Sequence, residues 1–266
     1  GSINPAIIFP SAIKKQPKEI AFSLADSINL GAGQFCTNPG LIIMMKTEGY
    51  EKFLDYINDA ISRSQPSVML NEKICKSYEL NKKTLLDDSN VTLIAESAVK
   101  NNNLNIGLPT IASVDADRFL QNTELSNEVF GPLSLVVMCK DTKELQEVIQ
   151  KMEGQLTASV FSETKDASEY KMVISTLTHK VGRIIFNGVP TGVEVCDSMQ
   201  HGGPYPASSD SRFTSVGTYA IKRFTRPISY QNLSDKYLPV ELQNKNPLNI
   251  WRIVNGTLTK EKIQKL

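Results

Sequence analysis

Apolar side chains recur at two spacings along the chain. In residues 17–30, Ile20, Leu24 and Ile28 stand four apart, on one face of a helix that starts near Pro17 and stops at Gly31. Residues 50–61 repeat the pattern with Phe53, Leu54, Ile57 and Ile61. Residues 141–152 repeat it with Leu145, Val148, Ile149 and Met152 behind an Asp141 cap. A further helix is predicted over residues 165–177. Short aliphatic runs at 41–46, 91–95, 133–139, 156–161 and 182–186 read as strands. Strands alternating with helices of this length predict an α/β fold, a mostly parallel twisted sheet with flanking helices. Residues 193–210, rich in Gly, Pro, Ser and Asp, predict a long loop. Residues 225–231 read as one more strand, followed by a tail that Pro239 and Pro247 interrupt.

Composition narrows the partners. With 29 basic and 28 acidic side chains the net charge is +1, which offers no electrostatic pull toward nucleic acid or an acidic membrane. The longest clean apolar run, residues 41–45, falls far short of the roughly 18 residues of a spanning helix. No secretory signal is read at the start. The cysteines Cys36, Cys75, Cys139 and Cys196 show no CxxC spacing, against both a disulfide framework and a zinc site, and for a reducing cytoplasm. Two histidines, His179 and His201, exclude a His-rich metal centre.

Cys36 follows a helical segment and two glycines, Gly31 and Gly33. Glycines free the backbone to approach a ligand, and an unbonded N–H beside a thiolate can hold an oxyanion. A buried, inert thiol is the commoner fate of an isolated cysteine. The neighbouring motifs tip the balance. Gly33-Gln34-Phe35-Cys36 is followed about ninety residues later by Glu128-Val129-Phe130-Gly131-Pro132, and then by Asn187-Gly188 leading into Pro190-Thr191. Together these motifs resemble the C-terminal, catalytic half of the aldehyde dehydrogenase family. The runs 31–40 and 201–207, Arg226-Pro227, Tyr230-Gln231-Asn232, Asn246-Pro247-Leu248 and Trp251-Arg252 are similar to the branch containing α-ketoglutarate-semialdehyde (2,5-dioxovalerate) dehydrogenases. NADP-linked fatty aldehyde dehydrogenases share much of this pattern.

The resemblance implies that Cys36 attacks an aldehyde to give a thiohemiacetal and then a thioester, with its own N–H as half of the oxyanion hole. Glu128 would accept hydrogen bonds from the nicotinamide ribose and Phe130 would lie beside the nicotinamide. Gln34 and Asn187 would shape the site. Glu128 as a solvated loop acid and Phe130 as core packing are the plainer readings. The implied cofactor is NADP or NAD, the substrate a small aldehyde, and the assembly a homo-oligomer. Residues 1–222 would form the catalytic domain, and 223–266 an oligomerisation strand and tail. The dinucleotide-binding domain, the oxyanion Asn and the water-activating Glu would stand upstream of Gly1, with Asn4-Pro5 just after that Glu. On that expectation the chain alone binds no cofactor and is inactive.

Three rivals compete. His201 as a base for Cys36 gives a cysteine hydrolase or acyltransferase, while His179 reads as a surface residue near a helix end. A CoA-acylating relative keeps the same nucleophile, and a non-catalytic interaction module keeps only the fold. Cys75, Cys139 and Cys196 read as small apolar groups, with Cys196 in the loop and open to exposure.

Overall fold

The computed structural model describes residues 1–101, 103–164, 166, 170–190 and 192–263. It comprises two units, Gly1–Arg223 and Phe224–Leu266. The strands of the first unit are β1 (Ala6–Ile8), β2 (Leu41–Met45), β3 (Ser67–Val68), β4 (Thr92–Glu96), β5 (Ile106–Gly107), β6 (Thr110–Asp115), β7 (Leu133–Cys139), β8 (Gln155–Phe161) and β9 (Val181–Phe186). Seven of them make one sheet in the order β4-β6-β7-β2-β1-β8-β9, and β3 pairs with β5 apart from it. Every pairing in the large sheet is parallel except that of β4 with β6.

The helices are α1 (Pro10–Lys15), α2 (Pro17–Asn29), α3 (Tyr50–Arg63), α4 (Glu72–Leu86), α5 (Ala116–Gln121), α6 (Thr142–Lys151) and α7 (Lys171–Thr178). On one face, Ile20, Leu24 and Ile28 of α2 and Phe53, Ile57 and Ile61 of α3 pack on Ala6, Ile8, Ile42 and Met44. On the other, Tyr78, Phe119, Leu145, Val148 and Val173 pack on Ile7, Ile43, Leu135 and Val160. Consecutive strand residues point to opposite faces, so a sheet covered on both sides needs an unbroken apolar run. All five residues of β2 are buried for that reason. Burying each large aliphatic side chain of this kind contributes roughly 1.5–3 kcal/mol. Truncating Leu24 to Ala would cost about 2–5 kcal/mol and loosen α2, the helix that leads to Cys36.

The helices predicted over 17–30, 50–61 and 141–152 are α2, α3 and α6, and Asp141 does cap the last, accepting from Glu144 N. The helix expected over 165–177 is α7 in its described part, while residues 165 and 167–169 lie outside the described residues. The loop over 193–210 holds no helix or strand.

The strand expected over 225–231 is not formed. Those residues are exposed and belong to no ladder. A β-pattern becomes a strand only against a neighbouring chain segment, and Pro227 removes a ladder donor from its middle. The second unit instead holds a hairpin, β10 (Arg252–Val254) with β11 (Thr257–Thr259). Asn255 and Gly256 both have positive φ, 50° and 80°, as a two-residue primed turn requires. Arg252 ties the hairpin down by donating to the carbonyls of Gln243, Asn244 and Glu261.

Candidate active site

Cys36 sits between the end of α2 and the start of β2, on a turn built from left-handed backbone. Gly31, Ala32 and Gly33 have φ of 59°, 55° and 67°. For Ala32 this costs about 1–2 kcal/mol, and its complete burial is what holds it there. Gly33 is required for a second reason: a Cβ there would overlap the Gly131 carbonyl group. A Cβ on Gly131 would in turn overlap the ring of Tyr78. The cysteine loop, the Glu128–Pro132 turn and α4 therefore stack through two glycines. Gln34 fastens the same turn, donating to Gly31 O and accepting from Leu70 N, both at 2.9 Å.

Behind the loop stands Asn4, buried at the start of β1. Its Nδ2 donates to the carbonyls of Cys36 (2.9 Å), Asn38 (3.0 Å) and Ser2 (3.2 Å). Its Oδ1 accepts from Ser2 Oγ and from Thr157. Asn38 Nδ2 donates to Gly131 O at 3.1 Å, a second tie between the two motif loops. Held in this way, Cys36 is exposed, and its N–H donates to no acceptor among the described residues. An exposed thiol with a free N–H beside it is the arrangement that nucleophilic attack on a carbonyl needs.

The other cysteines differ. Cys139 is buried in β7 and Cys75 is half-buried against Ile106 O, and burial pushes both thiols up. Cys196 is half-buried in the long loop, 3.5 Å from Ser198 Oγ. His201, from the same loop, brings Nε2 to 3.3 Å from Cys36 Sγ. Burial, with the positive charge of Arg183 second, lowers the pKa of its ring. His179 is exposed at the end of α7.

Glu128 lies on an exposed turn over the start of the chain, with no lysine or arginine paired to it among the described residues. Its surface is open, yet the crowding around its carboxyl raises the pKa, against the lowering pull of the Gly1 amino group and a hydrogen bond from Ser2 N. Phe130, two residues on, presents an exposed ring. Asn187 is the residue expected to hold backbone around the site. It does pin backbone, with φ of 49° and Oδ1 accepting from Ser162 N at 2.8 Å. That bond joins the carboxyl ends of β8 and β9, whereas the Cys36 loop meets the amino ends, so Asn187 shapes the far rim of the sheet. Thr191, in the Pro190-Thr191 motif, lies outside the described residues.

Two residues whose part in the site pattern reading did not give are Asn4 and Arg183. Asn4 carried a weak signal, an Asn-Pro pair just before a short apolar run. Arg183 carried none: it is a lone charge inside a strand, with Nε and Nη2 buried and unbonded.

Residues 1–228 match the aldehyde dehydrogenase family. An alpha-ketoglutaric semialdehyde dehydrogenase of Acinetobacter baylyi is 43% identical over 260 residues, covering 97% of this chain and 49% of its own. Alpha-ketoglutaric semialdehyde dehydrogenase 2 of Azospirillum brasilense is 40% identical over 255 residues, covering 96% and 48%. The chain thus spans about half the length of the curated relatives it matches. Among solved structures, the NAD+ complex of an aldehyde dehydrogenase from Bacillus cereus superposes with a TM-score of 0.66 at 18% identity, over 85% of this chain and 44% of that one. At that identity the likeness is one of fold. No helix among the described residues is long and apolar enough to cross a membrane.

Proposed function

The chain belongs to the aldehyde dehydrogenase family, and on that premise we propose that it carries the nucleophile of an NAD(P)-dependent enzyme oxidising α-ketoglutarate semialdehyde to 2-oxoglutarate. The substrate is supported by the names of the two relatives at 43% and 40% identity. The observation that carries the chemistry is the exposed Cys36 thiol on its glycine turn, with its own N–H unclaimed.

Cys36 Sγ attacks the aldehyde carbon. The C–S bond forms, the carbonyl electron pair moves to oxygen, and the N–H of Cys36 donates to that oxygen. When bound, the nicotinamide supplies the acceptor for the hydride that leaves this adduct. The thioester left on Cys36 is labile enough for water to release the acid. Asn4 holds the Cys36 carbonyl, and so the aim of the N–H, through the attack. Glu128 and Phe130 fit the cofactor: an acceptor-only carboxylate with no lysine or arginine paired to it among the described residues suits ribose hydroxyls, and the exposed ring offers an apolar face beside the nicotinamide. NAD and NADP both satisfy these two residues.

The reading extends to assembly. Residues 1–222 act as the catalytic domain and 223–266 pair with a second subunit in a cytoplasmic homo-oligomer, where 225–231 gain a ladder that the single chain does not give them.

The test is Cys36→Ala in the full-length gene product, with NAD(P)H formation from α-ketoglutarate semialdehyde as the readout. Turnover falls on the order of a thousandfold or more, with folding unchanged. Retention of most of the wild-type rate overturns the reading.

A further inference from the structure

Cys36 and His201 come from segments far apart in sequence, yet Sγ and Nε2 stand 3.3 Å apart. The ring is delivered by a fastened loop. His201 N donates to Thr214 Oγ1 at 2.9 Å, and its carbonyl accepts from Ser215 N at 2.8 Å. The next two residues lie flat on the sheet: a Cβ on Gly182 would overlap the Gly202 carbonyl, and one on Gly203 would overlap the Gln155 carbonyl.

Two titratable groups face the ring, Cys36 from the loop before β2 and Arg183 from β9. Among the described residues no carboxylate pairs with it, and Nδ1 is buried without a partner. Burial and the Arg183 charge both work against a resting imidazolium, so the ring is neutral at neutral pH and a lone pair is available at Nε2.

We propose that His201 is the proton acceptor that turns the Cys36 thiol into its attacking thiolate. The S–H proton passes to Nε2, and the bonding pair stays on sulfur to form the C–S bond. The imidazolium that results stands beside the adduct, and Arg183 keeps it from persisting once the proton can leave. The distance and the neutral ring are what general-base assistance demands. The pair has no third, orienting carboxylate on Nδ1, so the structure offers no support for an independent Cys–His hydrolase. The proposal rests on Cys36 being the nucleophile.

The test needs no cofactor. Iodoacetamide labelling of Cys36 is followed by mass spectrometry at pH 7 and pH 9 in the wild-type chain, in His201→Gln, and in His201→Ala with and without added imidazole. An ordinary thiol is only a few per cent ionised at pH 7 and largely ionised at pH 9. His201→Gln therefore labels on the order of tenfold more slowly at pH 7 and matches the wild type at pH 9. Imidazole restores the pH 7 rate of His201→Ala, a response that a purely structural histidine would not give. Unchanged labelling at Cys196 reports that the loop is intact. Equal pH 7 rates in all variants, or a slow His201→Ala that imidazole leaves slow, overturns the proposal. If Cys36 still labels ahead of the other cysteines in that event, the nucleophile reading stands without it.

Discussion

At the carboxyl ends of the parallel strands, Lys14 pairs with Glu48, Lys15 with Glu163, Lys46 with Asp115 and Lys140 with Glu144, at 2.9, 2.8, 2.6 and 3.3 Å. At the amino ends, Asn4, Gln155 and Thr157 bond one another's neighbours in a buried row, and Arg183 and His201 keep buried nitrogens unbonded. Open α/β sheets commonly bind ligands at their carboxyl ends. A cavity of about 580 Å³ lies at that end here, lined by Ser11, Lys14, Glu48, Asp141 and Asp166. Lys14 and Glu48 pair with each other there and are solvated, conditions in which an ion pair adds little. The smaller, buried polar set at the other end holds Cys36, the proposed nucleophile, in a strained turn. Unmet or specially directed polar groups, more than cavity size, distinguish the end that carries the proposed nucleophile.

The largest expected effect that separates the two ends is Gly33→Ala. Left-handed backbone and overlap with the Gly131 carbonyl group together cost about 3 kcal/mol. Thermal unfolding should fall by about 6–12 °C. A change within error would show that the two motif loops are not locked together. Asn4→Ala comes next, at about 2–3 kcal/mol, because three carbonyls, two of them in buried bonds, lose one donor group. Denaturant unfolding measures it, and the Cys36 labelling rate should change with it. Stability without a change in labelling would mean that Asn4 supports the sheet and not the loop.

A smaller effect is expected from pH. The His201 pKa is lowered in the fold, so below about pH 6.5 the unfolded chain binds the proton that the folded chain refuses. That share of stability is full above pH 6.5 and is lost as the pH falls through the folded value. His201→Asn should flatten the decline in melting temperature between pH 7.5 and 5.5, and an unchanged slope would contradict the assignment. The smallest effect belongs to the carboxyl end. Lys14→Ala or Lys46→Ala should alter stability by about 0.5 kcal/mol or less, since both members of each pair are exposed. A loss above about 1 kcal/mol would break the contrast drawn between the two ends.

Much of the frame was legible because its periodicities are clean. β7 spans 133–139 as read, and α2, α3 and α6 show their apolar stripes. β1 was missed because three residues are too few to show a period, although it is central to the sheet. α4 was missed because its buried positions include Tyr78 and Lys82 among many charges, which blurs the stripe. β6 hid behind Thr110, Ala112 and Ser113, small or polar residues whose burial only the neighbouring strands β4 and β7 decide. The hairpin at 252–259 did carry a sequence signal, Asn255-Gly256 between apolar residues, that the proline-broken tail obscured. In the site, Cys36, Gln34, Glu128 and Phe130 were marked by motif. The approach of His201 to Cys36 depends on the long loop over 193–210, which holds no helix or strand, and no local pattern sets where such a loop lands.

The most direct test of the central claim is whether an aldehyde shields Cys36. Native protein is labelled with iodoacetamide, with and without α-ketoglutarate semialdehyde, and each cysteine is quantified by mass spectrometry. Reversible addition of the Cys36 thiolate to the carbonyl should slow labelling at Cys36 in proportion to aldehyde concentration, with Cys75, Cys139 and Cys196 unaffected. Uniform labelling of all four cysteines, or a Cys36 rate indifferent to the aldehyde, would contradict the account.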